Sequence, residues 1–140
     1  PTTALDVTIQ AQILELMNDL KKKLETSILL ITHDLGVVAE VCDDVVVMYA
    51  GRPVEYADVE TLFEAPLHPY TWGLLASLPK IENQDKHRLE AIEGLPPDLC
   101  HMPAGCAFLP RCGKAIGRCH NEQPEYLQVR EGHYVACHLY

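Results

Sequence analysis

No apolar run in this chain approaches the roughly 18 residues a helix needs to cross a bilayer, and no secretory signal pattern stands at its start. Positive charge is scarce too. Against 20 Asp and Glu there are 11 Lys and Arg, a formal net charge of -9. General nucleic-acid binding requires a basic footprint, so that class is excluded. The only run of cations, Lys21, Lys22 and Lys23, falls near the end of a predicted helix, where it complements the negative end of the dipole. No G-x-x-x-x-G-K-[ST] sequence occurs, so these residues carry no phosphate cradle of that kind. An initiating Met is also missing, and the opening at Pro1 leads to the expectation of a piece whose upstream part lies elsewhere.

What is present fits about one domain: 140 residues, 48% of them hydrophobic, enough to bury a core. The expectation is a cytosolic chain. Cysteine is nearly absent from the first two thirds, where Cys42 stands alone and reads as an inert core residue on a helix. Cys100, Cys106, Cys112, Cys119 and Cys137 crowd into the last third. In a cytosolic chain that clustering favours metal or redox chemistry over structural disulfides.

In residues 7–24 the apolar Ile9, Ile13, Leu16, Met17, Leu20 and Leu24 recur at threes and fours, the stripe of an amphipathic helix, with Asp6 as its N-cap. Residues 27–32, S-I-L-L-I-T, predict a buried strand. A connection this short would lay that strand beside an earlier one, which would lie before Pro1. The strand delivers His33 to its C-terminal tip, the place where ligands sit in open α/β sheets. A wet imidazole in a turn is the competing reading.

Leu35, Val37, Val38 and Val41 then predict a short helix capped by Asp34. Residues 45–49 predict another buried strand, and Ala50-Gly51 a hairpin turn into residues 52–56. Helices are expected at 58–64, capped by Asp58, and at 70–78, with Pro66 and Pro69 between them and Pro79 after. Residues 80–88 are charged and polar, a linker or exposed loop. Beyond Gly94 helix and strand periodicities fade. About 40 residues of such composition cannot readily hold themselves by burial alone, so a crosslink or metal is expected.

The opening P-T-T-A-L-D resembles the segment after the Walker B acids of ABC-transporter ATPases, with Ala4-Leu5-Asp6 as the D-loop. The spacing from there to Thr32-His33-Asp34 matches that family's switch histidine. Met48-Tyr49-Ala50-Gly51-Arg52, then Pro66-x-His68-Pro69-Tyr70-Thr71 with Leu74-Leu75, resemble the ATP-binding subunits of oligopeptide and dipeptide importers. So does the tail, Gly94-x-Pro96-Pro97, Gly105-Cys106-x-Phe108-x-Pro110-Arg111-Cys112, Cys119, Pro124 and His133-x-Val135-Ala136-Cys137. Nickel importers share much of this pattern.

The resemblance implies an α/β fold: the C-terminal part of a P-loop ABC ATPase domain (1–79), a linker (80–94) and a small cysteine-rich, metal-stapled tail (95–140). It implies a subunit that uses ATP and Mg²⁺ at a dimer interface to drive peptide import. His33 would contact the γ-phosphate and orient the attacking water, and Asp6 would couple the two ATP sites. Implied partners are transmembrane permease subunits, a second ATP-binding subunit and, indirectly, an extracytoplasmic peptide-binding protein, with the subunit peripheral on the cytoplasmic face. The P-loop, glutamine loop, signature motif and Walker B acids are not in these residues, so the piece alone is expected to be inactive.

By the same resemblance Cys106, Cys112, Cys119 and Cys137 would ligate a [4Fe-4S] cluster, with Arg111 and Arg118 offsetting its charge. The C-x5-C-x6-C-x17-C spacing does not itself show this, being unlike ferredoxin runs or zinc knuckles. Zinc on the same thiolates and an oxidised disulfide pair are the alternatives. Cys100 lies outside the motif, and His101, His120, His133 and His138 read as surface or supporting residues. Two other functions remain open: a free-standing iron–sulfur or zinc regulatory module, and a structural domain that docks a membrane partner.

Overall fold

A computed structural model describes residues 6–78 and 92–140 of the chain. They fall into two compact units, Pro1–Cys42 and Asp43–Tyr140. In the first, helix α1 spans Val7–Leu24, as the periodicity predicts. Asp6 caps it, its carboxylate accepting from the Thr8 amide at 2.9 Å, and Lys21, Lys22 and Lys23 occupy its last turn. The buried side is rotated from the expected stripe. Leu14 is buried and Ile13 and Met17 half-buried, while Ile9, Leu16, Leu20 and Leu24 are exposed.

Residues 27–32 form no strand among the described residues. Leu29 and Ile31 are each 90% exposed. Apolar, β-prone composition is not enough: a strand also requires a neighbour to complete its hydrogen bonds, and no described segment supplies one. Helix α2, Leu35–Val41, follows as expected. Cys42 is half-buried at its C-cap rather than a core residue.

The second unit is built on one antiparallel sheet. Strands β1 (Asp44–Tyr49) and β2 (Arg52–Asp58) form the expected hairpin. Ala50 and Gly51 both have positive φ, 48° and 77°, the two-residue turn whose twist suits a hairpin. β1 is not buried on both faces: Val46 and Met48 point outward and Val47 and Tyr49 inward. Helix α3, Val59–Glu64, is capped by Asp58, which accepts from the Thr61 amide. In α4, Pro69–Ala76, Pro69 takes the first helical position rather than separating helices, where its missing N–H costs nothing.

The tail is continuous with the first hairpin through a shared sheet. After short 3-10 turns at Leu109–Arg111 and Gly117–His120, strands β3 (Tyr126–Arg130) and β4 (His133–Ala136) form a second hairpin. β4 pairs with β2, making one sheet in the order β1-β2-β4-β3. Phe108 of the tail is buried with Val47, Tyr49, Val54, Ala57 and Leu62, and the Arg52 guanidinium donates to Gln123 Oε1. Burial against the first hairpin is thus part of what holds the tail. The two units divide after Cys42; of the expected linker at 80–94, residues 80–91 lie outside the described residues.

Candidate functional sites

His33 stands exposed between two polar turn residues. The Asp34 amide donates to Thr32 Oγ1 at 3.1 Å. Asp34 Oδ1 in turn accepts from the amides of Gly36 and Val37 at 3.0 and 3.2 Å, starting α2. Two short side chains therefore hold the backbone on either side of the histidine while its ring stays in solvent. Asp6 is exposed and engaged as a helix cap; residues 1–5 lie outside the described set. His33 and Asp6 belong to the first unit and the cysteines of the tail to the second.

Four cysteines of the tail influence one another: ionisation of Cys106 is opposed by Cys112 and Cys119, that of Cys112 by Cys119, and that of Cys137 by all three. Cys119 is buried, the other three are half-buried, and all are free of disulfides. Burial foremost, and then the neighbouring thiols, push Cys106, Cys112 and Cys137 up, Cys137 to about 11.

Gly105 makes this approach possible. The Cys106 amide donates to the Cys119 carbonyl at 2.9 Å, and a Cβ on Gly105 would lie 2.2 Å from that same oxygen. Among the described residues no three or more His, Cys, Asp or Glu side chains form a group that could hold a metal ion. Cys100 is exposed and outside the group, its amide bonded to Asp98. Arg111 donates to the carbonyls of Ile92 and Glu93, and Arg118 pairs with Glu122, so both guanidiniums have other partners.

The sequence reading missed a buried polar group. Glu55 and His133 are sealed from solvent, with Glu55 Oε1 2.8 Å from His133 Nε2. Glu55 also accepts from the amides of Leu67, at 2.5 Å, and His68, at 3.0 Å. His133 is therefore a core residue, not a surface one. His101 and His138 do lie at the surface, on Asp98 and the Glu122 carbonyl, and His120 is exposed.

His68 is itself buried; its Nδ1 accepts from the Tyr70 amide at 3.0 Å and caps α4. Burial lowers its pKa to about 4, partly opposed by the charge of Glu55. A cavity of about 530 Å³ is lined by Tyr49, Pro53, His68, Leu99, Cys106 and Phe108 among others. The signal for the buried group lay in the sequence as two separate motifs, one at His68 and one at His133, with nothing to join them.

Residues 54–119 match the family described as oligopeptide/dipeptide transporter, C-terminal region. The chain belongs to that family, as the C-terminal region of an oligopeptide ABC-transporter ATP-binding subunit. It is 58% identical to the oligopeptide transport ATP-binding protein AppD of Bacillus subtilis, over all of this chain and 42% of that protein. It is 57% identical to OppD of the same organism over 99% of this chain and 39% of the relative. With OppD of Haemophilus influenzae the identity is 54%, over 99% and 42%. The chain thus spans about two fifths of the length of these curated relatives. No helix among the described residues is long and apolar enough to cross a membrane.

Proposed function

We propose that the chain is part of the ATP-hydrolysing subunit of an ABC importer for oligopeptides or dipeptides, coupling hydrolysis to uptake. The observation that carries this reading is the 58% identity to AppD across the whole chain rather than the tail alone. A free-standing metal module would need only the tail. The relatives above are named for oligopeptides, which favours peptide over nickel as cargo.

His33 is the residue assigned to the γ-phosphate. An imidazole suits that role because one nitrogen can donate while the other is held by a neighbour, and catalysis of this type is mostly positioning and charge stabilisation. Its exposure, between the fixed turns at Thr32 and Asp34, supports the assignment. Asp6 would couple paired ATP sites.

The intact subunit would use ATP and Mg²⁺ and work with permease subunits, a second ATP-binding subunit and, indirectly, an extracytoplasmic peptide-binding protein. It would be peripheral on the cytoplasmic face. Residues 1–140 alone, with no G-x-x-x-x-G-K-[ST] sequence, should neither hydrolyse ATP nor bind it tightly.

Cys106, Cys112, Cys119 and Cys137 would hold a [4Fe-4S] cluster, which would supply a structural crosslink. The mutual influence of these four thiols, with Cys100 exposed outside the group, supports that ligand set. Zinc would need its thiolates crowded at about 2.3 Å around one ion, whereas a cubane carries them on separate corners.

In the intact transporter His33→Ala should keep ATP binding while turnover falls about a hundredfold or more; unchanged turnover would refute the assignment. Iron, sulfide and zinc analysis after anaerobic purification separates cluster, zinc and disulfide.

A further inference from the structure

We propose that Glu55 and His133 form a positioning pair that sets the register of the tail hairpin and thereby delivers Cys137 to the other three thiols. This rests on the reading of the four cysteines as one ligand set.

β2 and β4 are joined by two register pairs, Glu55 with Val135 and Tyr56 with Tyr134. So short a ladder specifies register weakly by itself, and a slip of one residue would turn every side chain of β4 to the opposite face. His133 and Val135 lie on one face of β4, and Cys137 directly follows the strand's last residue, Ala136, so the register of β4 sets where it starts. A slip would carry it away from Cys106, Cys112 and Cys119.

The Glu55–His133 contact spans that ladder diagonally and opposes a slip. Its acceptor is immobilised, because the same carboxylate takes the amides of Leu67 and His68. A second contact fastens the far side of Cys137: the Tyr140 hydroxyl donates to the Leu67 carbonyl at 3.2 Å. Cys137 is thus bracketed by His133 and Tyr140, both tied through hydrogen bonds to Leu67.

The pair is poorly accounted for by stability alone. His133 Nδ1 is buried with no partner, and a buried polar pair left partly unsatisfied is often no better than well-packed hydrocarbon. Holding one strand in one register is the best-attested use of such a pair.

The test compares the full chain with His133→Leu, which removes the donor, and His133→Gln, which retains one. In metal-free protein, alkylation of Cys137 should be about tenfold faster in His133→Leu, with Cys106, Cys112 and Cys119 nearly unchanged and His133→Gln close to wild type. After anaerobic reconstitution, wild type and His133→Gln should hold about four irons per chain and His133→Leu about three. Equal Cys137 rates in wild type and His133→Leu, or a uniform rise at all four cysteines, would overturn the proposal. Wild-type protein that takes up no iron would overturn the cluster reading instead, and the alkylation rates would still decide the positioning role.

Discussion

His133 Nε2 and Glu55 Oε1 meet at 2.8 Å across 78 positions of sequence, both side chains closed off from solvent. The contact joins the cysteine-bearing tail to the hairpin near the start of the same unit. Because Glu55 also holds the amides of Leu67 and His68, one carboxylate ties together β2, the loop between α3 and α4, and β4. Truncation before residue 126 would remove both the histidine partner of that carboxylate and the strand that pairs with β2 beside it.

The close approach of Cys106 to Cys119 depends on the missing side chain at Gly105. Gly105→Ala would bring a methyl group within 2.2 Å of a backbone oxygen and 2.9 Å of the Asn121 nitrogen, so backbone must move. A loss of about 3 kcal/mol is expected, measured by denaturant unfolding. Gly113→Ala, where an added Cβ meets nothing within 4 Å, serves as control and should change little.

Acid should weaken the second unit through His68. Its folded pKa, about 4, lies below its ordinary 6.5. The unfolded chain therefore binds a proton that the folded chain refuses between those values. Stability is fully present above about pH 6.5 and is lost as pH falls toward 4, by a total on the order of 3 kcal/mol. His68→Asn preserves an acceptor for the helix cap and should flatten the slope in denaturation measured across that range. An unchanged slope would show that other groups cause it.

The hairpin turn holds a small reserve of stability. Ala50 sits at φ 48°, a conformation that L residues other than Asn, Asp and Gly rarely adopt. Ala50→Asn, placed before Gly51, should raise stability by roughly 1 kcal/mol, seen as a higher Tm. A lower Tm would mean that the alanine methyl contributes more to packing than the turn loses to strain.

Local chemistry made much of the chain readable from its letters. Asp6, Asp34 and Asp58 each cap the helix expected of them, and Ala50-Gly51 turns the hairpin. These features involve residues two or three apart, so a short window of sequence contains both partners. The cysteine motif was legible as a pattern, through resemblance, but that these thiols oppose one another's ionisation comes from the fold.

What the sequence alone determined, then, is the set of caps, turns and helices, together with the family motifs at His33 and in the tail. Tertiary structure decided the rest. Residues 27–32 have strand composition but no described partner, and residues 126–130 form a strand although every residue is exposed, because β4 lies beside them. Strand pairing and burial are satisfied by whatever the fold brings close. Glu55, His68 and His133 show this most plainly: each reads as an ordinary polar residue until a chain reversal seals it inside.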